Sequence, residues 1–259
     1  MNEINNVAAV RSQYAGSGNL STRISIHARY STNKLGFGNW IFSHCPLEDG
    51  GKVLELGCGT GEMWLGHEDK IHACSQLILS DFSPGILEAA KANISGFPNV
   101  RHMLIDIQDI PFEDASFDLV IANMMLYHVP DLRKGLSEVR RILRPGGKFC
   151  CATYGEHGIM EYLSLLLKDY GVVDNGNRNF TLQNGAAILR QFFPHVQKLE
   201  YPDSLAVTDP DDMVDYIYSL SSMTALSNIP RNEIRAILTE QMTDGILHVP
   251  KEYGMFIAF

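Results

Sequence analysis

The chain has 259 residues, of which 45% are hydrophobic and 20% charged, enough to bury the core of one large α/β domain. Its net charge of −9 and pI near 5.4 disfavour nucleic-acid phosphates and anionic membrane surfaces as partners. Five cysteines occur without a C-x-x-C pair, which favours buried thiols in a reducing cytoplasm over a metal site. Without a signal-peptide core or a membrane-length apolar run, we expect a cytoplasmic protein that makes no use of a membrane.

The region before the first strand is rich in aromatic, arginine and histidine residues. Arg23, His27 and Tyr30 share one face of a predicted helix, at spacings of four and three. We expect residues 1–50 to form an N-terminal helical lid. The alternative is a fixed helix that only packs through its apolar side chains, namely Ile24, Ile26 and Trp40.

The first strand, residues 52–56, runs directly into a glycine-rich segment, Val53-Leu54-Glu55-Leu56-Gly57-Cys58-Gly59-Thr60-Gly61. Glycines at this density let the backbone turn sharply and leave no side chain between it and a ligand. A helix is expected to begin within residues 62–66, and its N-terminus would favour an anion. A dinucleotide fingerprint, G-x-G-x-x-G, would require a glycine where Glu62 stands.

Strands and helices then alternate along the chain. Strands are predicted at 77–80, 100–105, 117–122 and 148–153, with helices at 85–94 and 132–143. This order predicts a doubly wound, mostly parallel α/β sheet with helices on both faces. Beyond residue 154 the pattern is looser, and predicts helices at 158–170, 185–193, 211–221 and 232–243, an extended segment at 196–207 and a last strand at 254–259.

A polar residue stands at the end of each of three predicted strands. Asp81 lies 20 residues past Gly61, where a carboxylate can accept hydrogen bonds from both hydroxyls of a ribose. The alternative is an acid at the start of the following helix. Asp106 and Asn123 close the next two strands. In sheets of this kind, ligands bind outside the carboxyl ends of the strands.

The run Glu55-Leu56-Gly57-Cys58-Gly59-Thr60-Gly61 resembles the first motif of class I S-adenosylmethionine-dependent methyltransferases. The resemblance extends in order from residue 51 to about 154, including the turn Arg144-Pro145-Gly146-Gly147-Lys148. It is strongest to the small-molecule branch that contains ubiquinone- and menaquinone-biosynthesis enzymes. It implies a seven-stranded sheet whose last strand is antiparallel, in a core of residues 51–259. Helical, substrate-covering insertions would lie within 155–184 and 209–250.

The resemblance also assigns ligand contacts to S-adenosylmethionine. The loop would wrap its methionine part, Asp81 would hold the ribose, and Asn123 would lie beneath the sulfonium. Asp106 would accept from the adenine amino group while the N–H of Ile107 meets a ring nitrogen. Separately from the resemblance, a predicted N-terminal helix that closes over the cofactor would bring Arg29 near its carboxylate. The candidate cofactor-binding residues are therefore Glu55, Gly57, Cys58, Gly59, Gly61, Asp81, Phe82, Asp106, Ile107, Asn123 and Arg29.

Methyl transfer from such a cofactor is a direct in-line displacement onto a small-molecule acceptor and requires no metal. A general base is needed only for a weakly acidic hydroxyl or a protonated amine. The catalytic candidates are His128, Tyr30 and His27; His128 could equally bond the helix start at Pro130–Asp131. Two other functions remain open, a nicotinamide-dependent oxidoreductase and a non-catalytic nucleoside- or partner-binding domain. No motif identifies the acceptor or the oligomeric state.

Overall fold

The computed structural model describes residues 17–220 and 222–259. They form two compact units. The first, which we call the hairpin unit, contains the described residues up to Gly36 together with Tyr154–Arg178 and Glu200–Tyr253. The second, which we call the sheet unit, contains Phe37–Thr153, Asn179–Leu199 and Gly254–Phe259.

The sheet unit is built on one seven-stranded sheet with the strand order β3-β2-β1-β4-β5-β9-β6. The first five strands in this order are parallel to their neighbours, whereas β9 is antiparallel. Phe259, directly after β9, and His195, directly before β6, exchange two backbone hydrogen bonds. The predicted fold class is therefore confirmed. The strands are β1 Lys52–Leu56, β2 Gln76–Asp81, β3 Val100–Leu104, β4 Phe117–Asn123, β5 Leu143–Tyr154, β6 Val196–Tyr201 and β9 Tyr253–Ala258.

The central strands are apolar along their length because both faces of a parallel sheet are covered. Leu77, Ile78 and Leu79 of β2 are completely buried. The helices of this unit are α2 Phe37–His44, α3 Glu68–Ala73, α4 Pro84–Asn93, α5 Leu132–Ile142 and α7 Gly185–Leu189. The Asp131 side chain caps α5 by accepting from the Lys134 N–H at 3.0 Å, so the predicted start of this helix is confirmed.

The segment after the glycine loop differs from the prediction. Instead of a helix at 62–66, the chain makes a single 3₁₀ turn, Glu62–Trp64. Leu65 then adopts an extended backbone, with a φ of −67° and a ψ of 129°, which ends the turn before α3 begins. The predicted helix start within 62–66 is therefore met only by this single 3₁₀ turn, and the α-helix begins at Glu68.

The hairpin unit pairs two short antiparallel strands, β7 Ser204–Val207 and β8 Leu247–Pro250. Its helices are α1 Ser17–Tyr30, α6 Ile159–Leu166, α8 Pro210–Ser219 and α9 Arg231–Glu240. Ile26 of α1 lies in the apolar core of this unit with Met213 and Ile217 of α8. The predicted extended segment at 196–207 is therefore two strands, and β8 was not predicted. Residues 1–16 of the expected lid and the predicted helix end at Ser221 lie outside the described residues.

A buried ion pair, Lys251 with Asp203, ties α1 to the strand pair. Lys251 Nζ donates to Asp203 and, at 2.9 Å, to Ser31 Oγ at the end of α1. Asp203 also accepts from the backbone N–H groups of Asn33 and Ser204, each at 2.9 Å. The two side chains are 2% and 0% exposed, so these bonds replace the water that both charges have lost.

The lid role of residues 1–50 stays a prediction. Across the described ranges, no helix is both long and apolar enough to cross a bilayer.

Two helical glycines of the sheet unit allow its packing to be tested. A Cβ on Gly185 would lie 2.6 Å from the Phe256 ring and 3.0 Å from that of Phe180, whereas a Cβ on Gly38 would meet nothing within 4 Å. Gly185→Ala should therefore lower the free energy of unfolding by about 1–3 kcal/mol through overpacking. Gly38→Ala should be neutral or stabilising by up to about 1 kcal/mol. Urea unfolding of both variants measures this, and equal effects would contradict the packing described.

Candidate functional site

The candidate site lies where the strand order reverses, at the carboxyl ends of β1 and β4. These strands are parallel neighbours, and Glu55 is in register with Ile121. The glycine loop after β1 and Asn123 at the end of β4 therefore reach the same edge of the sheet. This edge is where open α/β sheets bind ligands.

The three loop glycines all have positive φ, but their surroundings differ. A Cβ on Gly57 would meet the Met125 side chain at 3.0 Å, and one on Gly61 would meet Ile94 at 3.0 Å. Nothing lies within 4 Å of the corresponding position at Gly59, whose φ is 57°. The loop is thus packed at both ends and has open space over its centre, where a ligand could approach the backbone.

Cys58 fills the inside of the loop. Its side chain is buried, and its backbone N–H donates to Ser80 O at 2.8 Å. Burial raises the pKa of the Cys58 thiol, with the Glu55 and Asp81 carboxylates adding to the effect. The thiol is therefore protonated at neutral pH, and Cys58 acts as a small packing residue.

Asp81 joins the end of β2 to the glycine loop. Its Oδ2 accepts from the Gly59 N–H at 3.1 Å, and its Oδ1 accepts from the Ser83 N–H at 2.9 Å. Burial raises the pKa of Asp81, while these backbone bonds and that of Phe82 act in the opposite direction. Each carboxylate oxygen keeps a further lone pair for a ligand hydroxyl. The neighbouring Phe82 side chain is 38% exposed.

Glu55 is buried in β1 and is 2% exposed. Its Oε2 accepts from the Trp64 indole N–H at 2.6 Å, which links the strand before the loop to the turn after it. Burial raises the pKa of Glu55 from 4.5 to about 7; the Trp64 bond lowers it and the Asp81 charge raises it further. A direct contact between Glu55 and a cofactor stays a prediction.

The predicted adenine contacts form a tight turn after β3. Asp106 O accepts from the Asp109 N–H at 2.9 Å, and Asp106 Oδ1 accepts from the Gln108 backbone N–H at 2.9 Å. Ile107 is buried against Gly135 of α5, where a Cβ would come within 3.3 Å of it. The sequence did not single out Gln108, which also accepts from the Asp131 N–H at 3.0 Å and so joins this turn to α5.

Asn123 is the last residue of β4, the strand that pairs with β1. Its Nδ2 donates to the Met63 sulfur at 3.1 Å, and its Oδ1 is buried without a hydrogen-bond partner among the described residues. Met124 follows with a φ of 53°, a left-handed backbone that is strained for a non-glycine residue. Met63 was not identified from sequence; its place directly after the glycine run is the only signal.

The catalytic candidates fall in both units. His128 ends the 3₁₀ turn Leu126–His128 of the sheet unit, and burial lowers its pKa to about 4. In the hairpin unit, burial and the Lys251 charge lower the pKa of His27 to about 4, and its ring contacts Tyr216 and Tyr253 edge-on.

Two further candidates of the hairpin unit share one partner. Arg29 and the Tyr30 hydroxyl both donate to Asp212 of α8. The structure therefore brings together the sheet-unit candidates from the loop, β2 and β4, while the roles of all the candidate residues stay predictions. Within the described part of the chain, no three His, Cys, Asp or Glu side chains are grouped to hold a metal ion.

Comparisons with known proteins show what the sequence around this site is similar to. Residues 54–151 match the family model described as a methyltransferase domain. The demethylmenaquinone methyltransferase of Staphylococcus epidermidis is 32% identical over 111 residues, which cover 43% of this chain and 46% of that protein. The resemblance to class I S-adenosylmethionine-dependent methyltransferases is thereby confirmed. The chain matches less than half the length of this relative.

Solved structures support the fold across most of the chain. The YcgJ protein of Bacillus subtilis superposes with a TM-score of 0.58 at 19% identity, covering 85% of this chain and 95% of that one. A phosphoethanolamine N-methyltransferase of Haemonchus contortus, solved with phosphomonomethylethanolamine and S-adenosylhomocysteine, has a TM-score of 0.58 at 20% identity. That match covers 96% of this chain and 58% of the other. At these identities, the likeness concerns the fold.

The raised pKa of Glu55 predicts a pH dependence of stability. Because the folded state holds the proton more tightly, the contribution of Glu55 is complete below pH 4.5 and is lost as the pH rises through about 7. A shift of this size corresponds to about 3 kcal/mol. Glu55→Gln cannot titrate, so the wild type should lose stability relative to this variant between pH 5 and pH 8.

Urea unfolding at several pH values measures this difference. Glu88→Gln is a suitable control because the Glu88 side chain is 69% exposed, so its removal should leave the pH profile nearly unchanged. Parallel profiles for wild type and Glu55→Gln would show that Glu55 is ionised in the folded protein throughout this range.

Proposed function

We propose that this protein transfers a methyl group from S-adenosylmethionine to a small-molecule acceptor by direct in-line displacement. The observation that carries the proposal is the loop between β1 and the turn Glu62–Trp64. There, open space over Gly59 adjoins a carboxylate, Asp81, that is fixed by the Gly59 and Ser83 N–H groups. The match of residues 54–151 to a methyltransferase domain supports it.

The described residues fit the chemical groups of this cofactor. Asp81 has lone pairs for the ribose hydroxyls, and Asp106 with the Ile107 N–H complements adenine. The uncrowded backbone at Gly59 suits the methionine part, and the buried Asn123 Oδ1 offers an acceptor without a partner. When bound, the cofactor would supply a methyl group on a positively charged sulfur. The chain's own contribution would be to orient donor and acceptor and to exclude water.

The acceptor is proposed to be a small molecule on two grounds. The net charge of −9 disfavours a nucleic-acid substrate. The relative from S. epidermidis is named for demethylmenaquinone, and the H. contortus neighbour was solved with phosphomonomethylethanolamine; both compounds are small molecules.

Calorimetric titration with S-adenosylmethionine, S-adenosylhomocysteine and NAD tests the proposal. Binding of the first two without NAD is expected. Binding of NAD alone would support a nicotinamide-dependent oxidoreductase. Binding of the adenosyl ligands without turnover of any compound in a metabolite library would support a non-catalytic domain.

Asp81→Ala should weaken the binding of S-adenosylmethionine. A hydrogen bond to a charged group contributes about 1.5–3 kcal/mol, so the dissociation constant should rise roughly 10- to 100-fold. Glu88→Ala is the control, because it removes an exposed carboxylate from the helix that follows Asp81. An unchanged dissociation constant in Asp81→Ala would remove Asp81 from the ribose site.

If His128 is the general base, its lowered pKa predicts how turnover depends on pH. Its pKa of about 4 means that the imidazole is neutral, and able to accept a proton, from about pH 5 upward. The rate constant kcat should therefore not decline between pH 8 and pH 5.5. His128→Ala should lower kcat while leaving cofactor affinity unchanged. A fall in kcat with a midpoint near pH 6.5 would assign the base to another group.

A further inference from the structure

The His27 ring of α1 is enclosed by aromatic rings of the hairpin unit. Its centroid lies 6.1 Å from that of Tyr216 in α8 and 5.9 Å from that of Tyr253, and both contacts are edge-on. Its Nδ1 atom is buried and has no hydrogen-bond partner among the described residues. The imidazole is therefore held by packing, without a polar partner at this nitrogen in the described part of the chain.

Charged groups near this ring come from several elements of the same unit. Burial has the largest effect on His27 and lowers its pKa; the Lys251 charge lowers it further, Asp203 raises it, and the result is about 4. The titratable and charged groups of the surrounding elements are Arg23, Arg29 and Tyr30 of α1 itself, Asp212 and Tyr216 of α8, Asp203 before β7, and Lys251 and Tyr253 after β8.

Protonation would give this enclosed ring a donor that it cannot satisfy. Both nitrogens of an imidazolium carry a hydrogen. The Nδ1–H of His27 would then be a buried donor without an acceptor among the described residues, and its charge would add to that of the buried Lys251 ammonium. A buried unpaired charge is costly, whereas water hydrates it. A proton on His27 therefore favours a state in which the ring reaches water.

The polar bonds that would have to open lie directly after α1. The Thr32 N–H donates to Ser204 O at 2.9 Å, and Ser31 forms an isolated bridge with Leu205 of β7. Ser31 Oγ also donates to Asp203 at 2.8 Å. The strand β7 itself pairs with β8 on residues 247–250. Residues 31 and 32 can therefore separate from β7 while the β7–β8 pair stays intact.

We propose that the hairpin unit contains an acid-operated release of α1, in which protonation of His27 detaches this helix from α8 and β7. At neutral pH, the uncharged ring and the Ile26 side chain keep α1 in the apolar core of the unit. At acid pH, the proton stabilises the detached state, because only there is the imidazolium hydrated. The release is independent of methyl transfer and requires no ligand.

The pKa values of the two states set the size of the effect. In the detached state His27 has its ordinary pKa of 6.5, and in the attached state its pKa is about 4. The detached state therefore takes up the proton first, and attachment weakens as the pH falls through 6.5 toward 4. The equilibrium constant for opening should rise roughly 20-fold between pH 7 and pH 5.

Hydrogen exchange of the full chain, followed by mass spectrometry at pH 7 and pH 5, tests the release. Rates are corrected for the intrinsic pH dependence of exchange, so that they report opening. Amides of residues 25–33 should lose protection roughly 20-fold at pH 5, while those of residues 77–79 in the buried strand β2 keep theirs. In His27→Gln, which cannot take up the proton, protection of residues 25–33 should be the same at both pH values.

A matched control and a second measurement complete the design. His248→Gln removes an exposed histidine of β8 in the same unit and should behave as the wild type. The NMR signal of the His27 ring in the wild type should titrate with a midpoint below pH 5. This signal decides the matter if His27→Gln is too unstable to attach α1 at any pH.

Three results would overturn the inference. An equal loss of protection in His27→Gln would mean that another group takes up the proton. An equal loss in β2 would mean that the whole protein opens rather than α1. A His27 signal that titrates near pH 6.5, with protection of residues 25–33 unchanged, would show that the attached state accommodates the charge.

Discussion

The hydrogen bond from the Trp64 indole to the buried Glu55 carboxylate holds together the two ends of the glycine loop. Glycine segments lose more conformational entropy on ordering than other segments do, so such a loop needs fixed ends. Glu55 fixes its start through β1, and Trp64 fixes its exit through an edge-on contact with Phe42. With both ends fixed, a ligand meets a loop that is already ordered, which lowers the entropic cost of binding.

Asp81 completes this arrangement from the neighbouring strand. By accepting from the Gly59 N–H, it fixes the centre of the loop, and by accepting from Ser83 it fixes the start of α4. The same carboxylate can serve a ligand only because two protein donors have already set its orientation. The alternative interpretation of Asp81, as an acid at the helix start, is therefore compatible with the ligand role.

Local signals in the sequence account for what was predicted correctly. The strands β1, β2 and β4 are short, mostly apolar runs followed by glycine or ended by a polar residue, and such patterns need no knowledge of distant residues. What was missed depends on partners that are far away. Gln108 joins two elements across 23 residues, and Lys251 meets Asp203 across 48. The strand β8 has only four residues, and pairing with β7 defines it. The segment after the glycine loop was misjudged because Leu65 is extended and Gly66 is left-handed, so the helix stops after one turn.

The burial of Cys58 has a consequence if the protein handles the alkylating reagent proposed above. A methyl group on a sulfonium reacts with any good nucleophile within reach, and a thiolate is among the best that a protein offers. Cys58 lies inside the loop proposed to hold that reagent, yet burial and the two neighbouring carboxylates keep its thiol protonated. The negative groups that would attract the cationic reagent thus also protect the protein against methylating itself.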